Sequence, residues 1–171
     1  MRKYRASLDT SAKIITISIV VLFAVIVAGI WADYKTGDAL GPYLYPTCFL
    51  PAILVAAYSF APSGYSLGDK GIAIHRVWEN GLIPYDVIES VSRIDKVASK
   101  GLIRTMGNGG LFGYYGYFSN REWGAMTWYL TRRRNLLVIK TNTSRFLLSP
   151  DDLEDFEAAL QLRLNRNELS V

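Results

Sequence analysis

Residues 14–32 read IITISIVVLFAVIVAGIWA, nineteen consecutive residues with no charged side chain. At ~1.5 Å of rise per residue a helix of this length covers most of a ~30 Å hydrocarbon layer, and inside lipid only a helix or a closed barrel satisfies its own backbone. A soluble amphipathic helix would carry a charged face, and this stretch has none. It is read as transmembrane helix 1, residues 14–32. The flanks take their meaning from it.

Residues 1–13 hold Arg2, Lys3, Arg5 and Lys13 against Asp9 alone, whereas the short loop 33–42 holds Asp33, Lys35 and Asp38. The positive-inside bias then places the basic N-terminus in the cytoplasm and the loop outside. A cleaved secretory signal shares the basic start. Its apolar core is usually ~7–15 residues, however, and Ile30-Trp31-Ala32 offers no small-x-small cleavage site.

No charged residue occurs from Ala39 to Gly68, and residues 43–61 are apolar enough to return as transmembrane helix 2. Pro46 and Pro51 interrupt it. Pro51 leaves the Thr47 carbonyl without its helical donor, a kink that membrane helices tolerate against a packed neighbour, so the two spans are expected to pack together. A re-entrant or interfacial segment is the alternative. Trp31, Tyr34, Tyr43 and Tyr45 are expected to form an outer aromatic belt, and Tyr58 and Phe60 an inner one. With both spans crossing, residues 63–171 are cytoplasmic.

The remaining chain has room for one small soluble domain within the 171 residues. A net charge of +4 suits an anionic membrane face but is too small and scattered to point to nucleic acid. Cys48 is the lone cysteine, so there is no intramolecular disulfide and no cysteine metal site.

After Pro62-Ser63-Gly64 the solid apolar pattern gives way to short runs between turns, a β-rich signature. Strands are expected at 65–67, 72–78 and 82–85, with Asn80-Gly81 as a hairpin cue and Pro84 at a sheet edge. Residues 86–94 read as a short turn leading into a strand, and further strands are expected at 102–106, 125–131, 136–141 and 145–148. Between them, Gly107–Phe118 reads GNGGLFGYYGYF. Six of these twelve residues are Gly or Asn and five are aromatic, which suits a long loop or irregular hairpin. Ser149-Pro150-Asp151-Asp152 has the form of a helix start, with Ser149 capping and Pro150 at the first helical position. Leu153, Phe156, Leu160 and Leu164 then give one apolar stripe.

About seven short strands followed by one amphipathic helix resemble the pleckstrin-homology (PH)-like barrel. The resemblance runs over roughly residues 63–165. It rests on Tyr65-Ser66-Leu67, Gly71-Ile72-Ala73-Ile74-His75-Arg76, Ile83-Pro84-Tyr85, the GNGGLFGYYGYF stretch and Leu147-Leu148-Ser149-Pro150, which are similar to bacterial PH-like domains found beside membrane-spanning helices. The resemblance implies a fold and a membrane setting rather than an activity. The first hairpin loop, Gly68-Asp69-Lys70-Gly71, departs from the several basic residues of phosphoinositide-binding PH domains, so inositol-lipid binding is not expected.

Two features are candidate sites. Phe112, Tyr114, Tyr115, Tyr117 and Phe118 could form an adaptable apolar surface for the lipid interface or a protein partner, or could simply close the barrel. Arg132, Arg133 and Arg134, read as a hairpin turn, could face anionic headgroups at about 1 kcal/mol per charge near the surface, or serve solubility alone. A phosphate cradle is opposed by the missing Gly-Lys-Ser/Thr, and RNA recognition by the missing basic lead residue. His75 has no ligand partner at metal spacing, helix capping accounts for the acidic residues 151–155, and no nucleophile motif is present. The expectation is a non-enzymatic, membrane-anchored binding or scaffolding module without cofactor or metal, meeting a protein partner or a second copy. A ligand sensor or transporter accessory subunit, with Pro46 and Pro51 marking a mobile helix, is the alternative.

Overall fold

The computed structural model describes residues 2–35, 38–97 and 101–168. In chain order the elements are β1 (Lys3–Arg5), α1 (Thr10–Ala32), α2 (Gly41–Phe60), β2 (Gly64–Leu67), β3 (Gly71–His75), β4 (Gly81–Pro84), a 3₁₀ turn (Tyr85–Val87) and β5 (Ile88–Ile94). There follow β6 (Ile103–Gly110), β7 (Gly113–Asn120), β8 (Gly124–Leu130), β9 (Leu136–Thr141), β10 (Arg145–Leu148) and α3 (Leu153–Glu168).

The strands form two sheets, β1-β2-β3-β4 and β5-β9-β10-β8-β7-β6. This corrects the expected barrel. β4 pairs only with β3, and after Pro84, which has no N–H to donate, the chain turns through Tyr85–Val87 and enters the second sheet beside β9. The hydrogen-bond ladder is therefore interrupted between β4 and β5. Pro84 does lie on an edge strand, as its chemistry requires.

Alternation along the strands builds two cores. Leu137, Ile139 and Leu148 face the small sheet's Tyr65, Ile72, Ile74 and Ile83, and Phe156 and Leu160 of α3 seal that core. Leu136, Val138 and Leu147 point the other way and join Tyr114, Phe118, Met126, Trp128 and Leu130 in the second. At the junction of the sheets the fully buried Tyr65 hydroxyl donates to the Tyr129 carbonyl and accepts the Ser149 N–H at 3.1 Å. Burial pushes the Tyr65 pKa up to about 12.

Residues 3–5, which the sequence places in a basic tail, are instead an edge strand. β1 pairs antiparallel with β2 in the register Lys3↔Ser66, Tyr4↔Tyr65, Arg5↔Gly64. The Tyr4 ring stands edge-on to Phe156 at 4.8 Å between centroids. Gly64 is needed for this crossing, because a Cβ there would lie 2.6 Å from the Tyr4 carbonyl oxygen. The segment on into α1 is also fastened. Asp151 accepts from the Ser7 N–H at 2.9 Å and from its hydroxyl at 2.6 Å, and the Asp9 N–H donates to the Thr131 carbonyl at 3.0 Å.

α1 begins four residues before the expected span, capped by Asp9, whose carboxylate accepts the Ala12 N–H at 2.7 Å. α1 and α2 are both long and apolar enough to cross a membrane, and none of the apolar window of either is buried within the protein. A core helix of a soluble domain would bury such residues; here Ile17, Val21 and Val25 are exposed. The helices pack on each other, and Trp31 Nε1 donates to Thr47 Oγ1 at 2.8 Å. Trp31, Tyr34 and Tyr43 cluster there, with Tyr34 and Tyr43 at 5.0 Å, while Tyr45 stacks separately on Phe49. α2 runs through both Pro46 and Pro51.

α3 starts later than the Ser149-Pro150 signal predicts. Asp152 caps it, accepting the Asp155 N–H at 3.1 Å, and the helix begins at Leu153. Ser149 and Pro150 precede it. Ser149 is fully buried and its hydroxyl accepts the Thr131 N–H at 2.9 Å, so it serves the sheet junction rather than the helix.

Candidate functional site

The glycine-aromatic stretch is more regular than its composition suggests. β6 and β7 form an antiparallel hairpin with Gly107 opposite Gly116, a bulge near Arg104, and Leu111-Phe112 as the turn. The glycines make the close crossing possible. A Cβ on Gly107 (φ +126°) would lie 2.2 Å from the Tyr115 carbonyl oxygen, and one on Gly116 (φ +115°) 2.4 Å from that of Met106. The turn itself puts Phe112 in the left-handed region, at φ 58°.

The hairpin tip is held between the domain-side ends of the two apolar helices. Thr16 Oγ1 on α1 accepts the Phe112 N–H at 2.9 Å and donates to the Gly110 carbonyl at 3.4 Å. On α2, the Ala57 carbonyl accepts the Tyr115 hydroxyl, and the Tyr58 ring meets Phe112 edge-on at 5.3 Å. Asn108 braces the turn, accepting the Leu111 N–H at 3.0 Å and donating to Tyr115 at 3.1 Å.

Alternation along β7 splits the five rings singled out in the sequence. Tyr114 and Phe118 point into the second core, where Phe118 stacks on Trp128 with centroids 4.0 Å apart. Tyr115 is buried against α2 and Phe112 is half-buried in the clasp. Burial raises the pKa of both Tyr114 and Tyr115, with the Asp9 carboxylate adding to the effect at Tyr114. Only Tyr117 projects freely, at 57% exposure. It lies opposite Met106 across the β6–β7 ladder, and Met106 (70%) and Ile103 (64%) are exposed along β6. β6 is an edge of the large sheet, so an apolar strip runs beside an unpaired strand edge. No local signal marks Met106 or Ile103 in the sequence, because their place beside Tyr117 depends on the cross-strand register of the β6–β7 hairpin.

The three arginines are also divided. They do not sit in a hairpin turn, which is a correction: β10 lies between β8 and β9, so the connection crosses over it. Arg132 pairs with Asp151 at 3.2 Å and donates to the Pro150 carbonyl, which commits it to the fold. Arg133 lays its guanidinium 4.4 Å over the Tyr114 ring, and its N–H donates to Asp9 Oδ2 at 3.3 Å. Arg133 and Arg134 are exposed and, with Lys96, rim a cavity of about 120 Å³ floored by Val97, Leu102, Trp128, Leu130 and Leu136. A larger open cleft of about 830 Å³ lies beside the start of α3, and both its arginines, Arg93 and Arg132, are ion-paired with carboxylates.

His75 ends β3, with Nε2 2.9 Å from Ser66 Oγ, and burial with the nearby Lys3 charge lowers its pKa. Among the described residues no group of three or more His, Cys, Asp or Glu side chains could hold a metal ion. The described arrangement can therefore present an apolar strip and a small basic rim beside two exposed apolar helices.

A family model described as a bacterial PH domain matches residues 63–164, more than half of the chain. The chain belongs to that family. The two-sheet architecture with its C-terminal helix is thus a bacterial PH domain, and in this protein β1 adds a strand from ahead of the matched region. No curated protein and no solved structure matches the chain.

Proposed function

We propose that this bacterial PH domain protein is a non-enzymatic binding or scaffolding module, anchored by α1 and α2 as a transmembrane hairpin, with the domain and N-terminus in the cytoplasm. One observation carries the reading. Two unburied, bilayer-length helices leave and re-enter the same small domain, because β1 before α1 pairs with β2 after α2. A chain that crosses twice returns to the side it left, which this pairing requires. The basic residues Arg2, Lys3, Arg5 and Lys13 favour the cytoplasm as that side.

Anchored this way, the domain offers a protein partner the strip of Ile103, Met106 and Tyr117. Extended peptides add to unpaired strand edges through main-chain hydrogen bonds, and neighbouring apolar side chains supply specificity. Arg133 and Arg134 offer anionic headgroups a weaker contact. A photo-crosslinking residue placed at Met106 in cells tests the partner surface. It is expected to yield one discrete adduct, lost when Tyr117 is changed to Ser; an adduct at twice the chain's mass identifies a second copy as the partner. A ladder of unspecific products, or none, contradicts a docking role for this edge.

A further inference from the structure

The β3–β4 turn carries two apolar residues that neither core uses. Val77 is 63% and Trp78 74% exposed, and they follow one another in the chain. Isolated surface apolar residues are ordinary, but this pair is fixed in place against the last turn of α2. The Trp78 N–H donates to the Ser59 carbonyl at 3.0 Å, and the Trp78 ring lies 6.3 Å from that of Phe60, the final residue of the helix. Both ends of the turn are held as well. The Ser63 N–H donates to the His75 carbonyl at 2.9 Å, and the Arg76 N–H donates to Asn80 Oδ1 at 3.1 Å. Phe60 is itself exposed, so the apolar surface of α2 continues through its ring onto that of Trp78.

We infer that Val77 and Trp78 lie in the interfacial layer of the bilayer, as a lipid contact made by the PH domain itself beside its transmembrane anchor. The inference rests on the proposal that α2 crosses the membrane. Phe60 then marks the inner limit of the span, and a ring in contact with it lies at headgroup depth, where Trp combines an apolar body with an N–H for lipid oxygens. The charges around the pair fit that depth and no greater one. Glu79 follows Trp78 directly and is exposed, so it keeps the turn's far end in water. Arg76 turns its guanidinium 5.5 Å over the Tyr129 ring, towards the domain. With the β6–β7 tip clasped at Thr16 and Ala57, two loops of the domain then lie beside the ends of the spans.

The test uses the full chain in phosphatidylcholine–phosphatidylglycerol vesicles, with Cys48 changed to Ala and a single nitroxide label at Val77→Cys, Leu22→Cys or Glu122→Cys. Leu22 reports the first span. Glu122 reports the end of the β7–β8 hairpin away from the clasp. Power saturation with oxygen and a water-soluble nickel chelate is expected to show several-fold greater oxygen preference at position 77 than at 122, approaching that at 22. Lipid-like values at 22 with water-like values at 77 overturn the inference and leave the transmembrane reading standing. Water-like values at both overturn the transmembrane reading and the inference with it. Should labelling at 77 disturb the turn, quenching of tryptophan emission by brominated lipid supplies the second measurement. The quenched fraction is expected to fall in Trp78→Phe, and an unchanged fraction overturns the inference.

Discussion

Changing Tyr4 to Ala separates a structural N-terminus from a loose basic tail. Tyr4 precedes the first apolar helix by several residues, and a disordered tail there would make its replacement neutral for the domain. In the structure Tyr4 is only 6% exposed, sits in register with Tyr65 and packs edge-on against Phe156. Truncating a buried aromatic residue to Ala costs about 3–5 kcal/mol, including the transfer of the ring and the cavity left behind. Most of that burial is made against β2 and α3, so the loss should appear in the PH domain rather than in the helices. For a domain of roughly 100 residues each kcal/mol shifts the melting temperature by ~4 °C or more. Circular dichroism of the full chain in nanodiscs should therefore show the β signal melting at least ~12 °C earlier in Tyr4→Ala. The helical signal of α1 and α2 should persist through that transition. A melt within ~2 °C of the parent would refute the pairing of β1 with β2, and with it the structural reason for placing both helix ends on one side.

Further expectations concern the clasp, the junction and pH. Gly116→Ala forces a Cβ against the Met106 carbonyl at a positive φ and should cost roughly 2–4 kcal/mol; hydrogen exchange should rise throughout β6 and β7. Asp9→Ala removes the cap of α1 and the acceptor for Tyr114 and Arg133, with about 1 kcal/mol expected for the cap alone and faster exchange at the Ala12 amide. His75 has a folded pKa below its unfolded value of ~6.5, so the neutral form is favoured and stability should decline as pH falls from ~7 through that lower folded value. His75→Asn should flatten that part of the melting-temperature profile. Tyr65, with a folded pKa of about 12, should contribute stability at pH below ~10 that is lost as pH rises towards 12, and Tyr65→Phe should make the alkaline slope shallower, the other buried tyrosines with raised pKa supplying the rest.

Several elements were legible because their signals are local. Charge-free runs mark α1 and α2, alternation marks β9 and β10 at their observed limits, and Pro84 marks an edge. What the sequence hides depends on partners far away in the chain. β1 is three residues long and becomes a strand only through β2, some sixty residues later. The glycines of 107–116 look like loop formers, yet face-to-face placement makes them conditions for a tight hairpin. Ser149 has the chemistry of a helix cap but is claimed by Thr131 and Tyr65, leaving Asp152 to cap α3. The five aromatic rings formed one group in the sequence, and strand alternation divided them. Tyr117 was left with Met106 and Ile103, neither of which any motif would single out.

Side-specific labelling of single cysteines in intact cells tests the membrane arrangement most directly. In a Cys48→Ala background, a membrane-impermeant maleimide should label Ala39→Cys, between the two helices, from outside. Ser7→Cys and Glu122→Cys should react only after the membrane is permeabilised. Labelling of Ser7 and Glu122 from opposite sides would contradict the hairpin, and labelling of both from outside would contradict the cytoplasmic placement of the domain.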